Sequence, residues 1–314
     1  MGVVICEFMD EAAVARLAAL HRTLYDATLV DRRDDLKARL ARARALIVRN
    51  RTKVDADLLA AAPRLRVIGR LGVGLDNIDL AACAARGVDV IPATGANALA
   101  VAEYVVATAL VLLRGAYLCS AAVAAGEWPR AALSEGREIA GTTLGIVGFG
   151  GIGRAVASLA QGLAMRVFGC DAQIAPGSPV WSAGRVEPRA FDDVVAAADV
   201  VTLHVPLTAA TLGMLDAARL ATMKAGAILI NTSRGGIVDE AALAAALRSG
   251  ALGGAALDVY TREPLPAGSP LAGCPNLILT PHIAGVTRES NVRVSALIGD
   301  KVAAALAAAA ALRG

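Results

Sequence analysis

Gly148, Gly150, Gly151, Ile152 and Gly153 stand between an apolar run at 144–147 and a stretch at 154–163 whose apolar residues recur at helical spacing. Strand, glycine turn and helix in that order make a phosphate-binding corner. Gly148 allows the tight turn, Gly150 lets backbone approach a pyrophosphate, and Gly153 lets the helix lie close to the sheet, while the helix N-terminus offers free N–H groups to the anion. A second strand, 165–169, leads to Asp171, an acid placed to take the ribose hydroxyls of NAD and to repel the 2′-phosphate of NADP. NAD is the expected cofactor; a plain glycine-rich turn is the alternative. Three further polar segments, 230–240, 256–264 and 279–285, lie just past apolar runs. They bring Arg234, Glu263 and His282 to the sheet edge where open α/β folds hold ligands.

Composition narrows the class. A chain of 314 residues is too long for one compact core and suggests two domains. Its net charge of +3, without a block of like charges, argues against nucleic acid as a partner. The five cysteines are scattered with no CxxC pair, so they read as small core residues in a reducing compartment, and no metal site is expected. The N-terminus begins with strand-like residues and then acids, unlike a signal peptide. The longest apolar run, 104–113, is too short to cross a bilayer. The expectation is a cytoplasmic protein with no membrane partner.

The elements that must position these residues follow a βα rhythm. Strands are predicted at 3–8, near Leu24, and at 45–48, 67–71 and 87–91, with helices at 10–21, 34–42, 55–61 and 78–86 between them. A long helix, 98–118, continues toward Gly126. A second series then has strands at 144–147, 167–169, 200–205, 227–230, 254–257 and 277–279, before a last helix at 288–312. Alternation of this kind indicates parallel sheets covered on both faces. The fold class is α/β with two doubly wound parallel-sheet domains. One, 98–285, is a Rossmann domain inserted into a discontinuous flavodoxin-like domain made of 1–97 and 286–314, with a hinge at the two junctions.

The three polar segments, together with 67–79, resemble the D-2-hydroxyacid dehydrogenase family across nearly the whole chain, the nearest branch being phosphoglycerate dehydrogenase. The resemblance implies a discontinuous substrate domain around an NAD domain, and it places Arg234, Glu263 and His282 as the catalytic set. The chemistry agrees. Oxidising a 2-hydroxy acid removes a hydroxyl proton while hydride leaves the same carbon, and histidine can take and return that proton near neutral pH. Glu263 would stabilise the imidazolium and fix the ring tautomer. Arg234 would hold the substrate carboxylate and polarise the carbonyl oxygen. Taken singly, each residue has a plainer role: His282 capping a turn, Glu263 solvated, Arg234 paired with Asp239. By the same resemblance His204, Val205 and Pro206 line the cofactor as a wall, Thr232 and Ser233 contact it through backbone, and Asp258 holds the nicotinamide carboxamide, although an acid closing a strand equally suits a cap. His21 belongs on a helix surface.

Gly72, Val73 and Gly74 are expected to present N–H groups to the substrate carboxylate. Arg49, Arg51 and Arg70 lie at or past neighbouring strand ends, where they would form a second anion pocket; solvated surface arginines are the alternative. With these groups, the resemblance implies a small anionic D-configured 2-hydroxy or 2-oxo acid as substrate, 3-phosphoglycerate-like, expected between the domains. Asn50 and Arg51, the 95–98 stretch and Trp128-Pro129-Arg130 depart from the phosphoglycerate dehydrogenase pattern. The extra arginine would suit 3-sulfolactate, so a sulfolactate dehydrogenase is one alternative and a glyoxylate/hydroxypyruvate reductase another. Serine feedback through an appended regulatory domain is not expected. A non-catalytic NAD-sensing protein is the rival from a different class, and formate dehydrogenase, with glutamine where Glu263 stands, is discounted. The 98–118 helix is apolar all round, which suggests a homodimer interface with Trp128 on the arm beyond it.

Overall fold

The computed structural model describes residues 2–311; of the helix predicted at 288–312, Leu312 lies outside them. The chain divides into two compact units, Met1–Asn97 with Val286–Gly314, and Ala98–Gly285.

The first unit holds a five-stranded sheet of β1 (Val3–Ile5), β2 (Thr23–Tyr25), β3 (Ala45–Val48), β4 (Val67–Arg70) and β5 (Asp89–Pro92), in the order β2-β1-β3-β4-β5. Every pairing is parallel. This is the doubly wound order whose switch point falls between β1 and β3. β1 and β3 are buried along their whole length, Ala45, Leu46, Ile47 and Val48 among them, as expected where helices cover both faces. The helix Arg288–Ala311 packs Val294, Ile298, Val302 and Leu306 onto one face beside Met9, Ala13 and Leu17.

The second unit holds β6 (Thr143–Val147), β7 (Arg166–Cys170), β8 (Glu187–Pro188), β9 (Val200–Leu203), β10 (Ile228–Asn231), β11 (Gly254–Leu257) and β12 (Leu277–Leu279). Their order is β12-β11-β10-β9-β6-β7-β8, again all parallel. The order reverses between β6 and β9, so the crevice lies beside Val147 and Leu203. Two differences from the predicted strands stand out. The run at 200–205 leaves the sheet after Leu203, and β8, two residues long, was not foreseen.

Aspartates cap five of the α-helices. Asp10, Asp55, Asp79, Asp216 and Asp239 each accept an N–H from the first turn, a cap worth about 1 kcal/mol. The helix Gly151–Gly162 has Gly150 at its cap and no side-chain hydrogen bond there, which leaves its first-turn N–H groups without intrahelical acceptors.

The helix predicted over 98–118 ends at Arg114. Gly115 takes φ 68° and donates to Val111 O at 2.9 Å, a left-handed glycine stop, and the chain turns by 70° into the short helices that follow. Much of the helix's apolar surface is already covered within its own unit. Val101, Val105, Ala109, Leu112 and Leu113 are buried in the unit's own core with Ile146, Phe149 and Val156. The apolar groups that stay exposed are Leu99 and Leu110, then Tyr117, Leu118, Val123 and Trp128 further along. Among the described residues no single helix is long and apolar enough to cross a membrane.

Candidate active site

At the end of β6, Gly148 takes φ 95°, and a Cβ on it would lie 2.4 Å from the His204 carbonyl oxygen. Only glycine fits a turn that is both left-handed and pressed against the neighbouring strand end. A Cβ on Gly153 would meet Gly148 O at 2.3 Å, so the helix sits tightly on the turn. Gly150 and Gly151 differ: a Cβ on either would meet nothing within 4 Å. The open side of the turn therefore lies over uncapped N–H groups, the geometry a diphosphate requires.

Asp171 follows β7. Its Oδ2 accepts the Phe149 N–H at 2.8 Å and its Oδ1 the Gln173 N–H at 2.8 Å. At the end of β9, His204 Nε2 lies 3.1 Å from Thr202 Oγ1, and burial pushes its imidazole down to about 3. The ring is neutral through the working range, which makes it a poor proton acceptor. Past β10, Ser233 donates its hydroxyl to Leu203 O, while Thr232 Oγ1 is buried without a hydrogen-bond partner among the described residues. A buried hydroxyl left open at this edge fits a bound polar ligand. The open glycine turn, the acid beside it and this hydroxyl together fit NAD.

The loop after β10 is organised by Asn231, a residue the sequence reading missed. Asn231 is buried; its Oδ1 accepts Ser233 N–H at 3.0 Å and its Nδ2 donates to Arg234 O at 3.0 Å. Arg234 extends from this loop and donates to Ser233 O at 2.6 Å. A Cβ on Gly235 would lie 1.8 Å from Tyr260 O, so the arginine loop rests on the backbone of the Glu263 loop.

Past β11, Glu263 Oε1 accepts Tyr260 N–H at 3.2 Å and its Oε2 lies 2.8 Å from His282 Nδ1. The carboxylate has no proton to give, so with a neutral ring Nδ1–H donates and Nε2 keeps its lone pair. His282 has φ 56°, a left-handed backbone that costs a non-glycine residue roughly 1–3 kcal/mol. Asp258 holds the strand of chain beyond it. The Asp258 carboxylate, 1% exposed, accepts Ile283 N–H at 2.8 Å and Ala284 N–H at 2.7 Å. Asp258 thus holds the loop after His282 by two of its backbone amides.

The first unit's strand ends also hold an unforeseen organiser. Glu7, buried just past β1, accepts N–H groups from Arg49 at 2.8 Å, Thr52 at 3.0 Å and Arg51 at 3.2 Å. It ties the β1 and β3 ends together at the switch point. An acid inside the apolar run predicted as a strand over 3–8 was the available signal.

The three arginines have separate partners. Arg49 donates to Asn291 Oδ1 at 2.8 Å with its guanidinium 5.8 Å from the Phe8 ring centre. Arg51 pairs with Asp31, both well exposed. Arg70 donates to Leu71 O at 3.1 Å and fills the space beside Gly72, where a Cβ would lie 1.5 Å from its Nη1. One member of the expected N–H cradle is already used. Gly72 N–H donates to Arg70 O at 2.8 Å, so Val73 and Gly74 are the donors that remain for a carboxylate.

Residues 106–284 match the family model described as the NAD-binding domain of D-isomer specific 2-hydroxyacid dehydrogenases. The chain belongs to that family. A D-2-hydroxyacid dehydrogenase is an NAD-dependent oxidoreductase. This dehydrogenase is 54% identical over 97% of its length to an (S)-sulfolactate dehydrogenase of Chromohalobacter salexigens, covering 98% of that protein. It is 39% identical over 86% of its length to a D-3-phosphoglycerate dehydrogenase of Archaeoglobus fulgidus, of which it spans 51%. Among solved structures, the TT0316 protein of Thermus thermophilus superposes with a TM-score of 0.86 at 34% identity, covering 98% of this chain and 97% of that one.

Proposed function

We propose that this dehydrogenase oxidises (S)-3-sulfolactate to 3-sulfopyruvate, with hydride passing from C2 to NAD. The observation that carries the reading is the 54% identity to an (S)-sulfolactate dehydrogenase over nearly the full length of both chains. The descriptor does not conflict with a D-specific family. Sulfur outranks oxygen in the priority rules, so the sulfonate-bearing carbon precedes the carboxyl and the D arrangement is written S. Both anionic ends and the C2 hydroxyl then occupy the positions they hold in 3-phospho-D-glycerate.

NAD, when bound, accepts the hydride. His282 takes the C2 hydroxyl proton at Nε2, and Glu263 holds the imidazole by Nδ1 and balances the charge it gains. Arg234 binds the C1 carboxylate and polarises the oxygen at C2. The Val73 and Gly74 N–H groups add to the carboxylate site, and Arg49, with Arg51 and Arg70, takes the sulfonate. Asp171 orients the ribose, while Asp258 meets the carboxamide with the acceptor capacity its loop contacts leave. His204, Val205 and Pro206 form the cofactor wall. The units serve as substrate domain (1–97, 286–314) and NAD domain (98–285). Two copies pair through the 98–118 stretch, which covers Leu110, Tyr117 and Leu118, and Trp128 at 78% exposure.

The second reading, 3-phosphoglycerate, is supported by the relatives of roughly half-matching length. NADH formation with (S)- and (R)-3-sulfolactate, 3-phosphoglycerate, glycerate and lactate separates the two. The (S)-sulfolactate kcat/KM should exceed that for 3-phosphoglycerate by at least about tenfold, a difference of ~1.4 kcal/mol. A preference for 3-phosphoglycerate would overturn the assignment in favour of the second reading.

A further inference from the structure

Hydrogen bonds converge on Thr280, the residue two before His282. A threonine hydroxyl has one proton, and here it goes to Asp258 Oδ1 at 2.6 Å. Tyr104 Oη, 2.7 Å from Thr280 Oγ1, must then be the donor of that pair. Burial raises the Tyr104 phenol above its ordinary pKa, so it stays protonated and keeps donating. On the backbone side, Thr280 O accepts from Tyr260 Oη at 2.9 Å and from His282 N–H at 3.0 Å, and Thr280 N–H donates to Leu257 O at 3.0 Å. Asp258 passes the connection on to the N–H groups of Ile283 and Ala284. The left-handed residue His282 is therefore flanked on both sides by amides whose acceptors belong to one network.

We propose that Thr280 is a positioning residue for His282, with Tyr104 as its outer anchor, together setting the backbone from which the imidazole meets Glu263. Tyr104 comes from the helix Ala98–Arg114, far away in sequence, and ties the histidine loop to the rigid part of the unit. A catalytic histidine on a strained loop needs such an anchor, because a displacement near 1 Å costs about a hundredfold in rate. The inference rests on His282 being the base.

The test uses Thr280→Val, which replaces the hydroxyl by a methyl group of similar size, with Thr280→Ser as the conservative counterpart and Tyr104→Phe as the milder variant. They are assayed with NAD and the fastest substrate of the panel above, and folding is checked by thermal unfolding. Thr280→Val should lower kcat about 10- to 100-fold and move the pH profile, with KM for NAD changed less than about threefold. Thr280→Ser should restore kcat to within about threefold, and Tyr104→Phe should fall between the two. In a His282→Asn background, Thr280→Val should change the residual rate less than about twofold, because the two residues act as a unit.

A folded Thr280→Val enzyme with parental kcat and pH profile, or additive losses in the double variant, would overturn the positioning role while leaving the base intact. If Thr280→Val does not fold, Tyr104→Phe decides, and an unchanged kcat and pH profile there overturns the role. Undiminished turnover of His282→Asn alone would instead remove the base, and the positioning claim with it.

Discussion

Asp171 Oδ2 accepts the Phe149 N–H at 2.8 Å, which joins the acid after β7 to the glycine turn after β6. The contact fixes the carboxylate at the rim of the turn before any ligand arrives, and each oxygen keeps lone-pair capacity for ribose hydroxyls. A phosphate on the 2′ position would meet that fixed negative charge.

Replacing Asp171 by Ser should therefore narrow the NAD over NADP preference in kcat/KM by at least about tenfold, since like charges in contact cost several kcal/mol. The ratio is read from steady-state rates with each cofactor. An unchanged ratio would show that another residue sets the preference.

Gly148 and Gly150 should separate stability from binding. Gly148→Ala forces a Cβ to within 2.4 Å of His204 O at φ 95° and should cost roughly 1–3 kcal/mol or more. Gly150→Ala meets no atom, so thermal stability should hold while KM for NAD rises about tenfold or more from the obstructed diphosphate. Melting curves and NAD titrations on both variants check this. Equal destabilisation by the two would contradict the open turn.

Asp199 should show an acid-dependent contribution to stability. Burial alone would raise its pKa, but the Thr143 hydroxyl and amide, Arg137 and Lys224 outweigh that and hold it below the usual carboxylate range. A depressed folded pKa gives stability that is complete above the unfolded value, about 3.9, and is lost as pH falls toward the folded one. Asp199→Asn should thus cost roughly 1–3 kcal/mol at pH 7, and the difference should shrink below about pH 4. Both tryptophans lie in this unit, and Trp181 is buried against Phe149, so urea unfolding followed by fluorescence reports it. A difference that grows toward acid pH would contradict the sign.

What could be read in the sequence was what parallel sheets write plainly. Strands buried on both faces appear as unbroken apolar runs, and the predicted 45–48 and 254–257 coincide with β3 and β11; the predicted 277–279 coincides with the partly exposed edge strand β12. Glycine spacing and the acid after the next strand made the phosphate corner legible. The edge strand β8, Glu187–Pro188, has neither length nor pattern to announce it. The break at Gly115 left a signal, a basic residue followed by glycine, which the surrounding apolar residues masked. Asn231, Glu7, Tyr104 and Thr280 escaped notice because their roles lie in partners that the fold, and not local spacing, brings near. Of the expected arginine pocket, the sequence could supply the residues but not Arg51's pairing with Asp31.

The central claim is that His282, held by Glu263, moves the substrate proton. The most direct measurement compares kcat and NADH affinity in His282→Asn and Glu263→Gln with the parent. The account predicts that His282→Asn lowers kcat by about 10²–10⁴-fold and Glu263→Gln by a smaller factor, with the Kd for NADH within about threefold in both. Parental turnover in His282→Asn would contradict it.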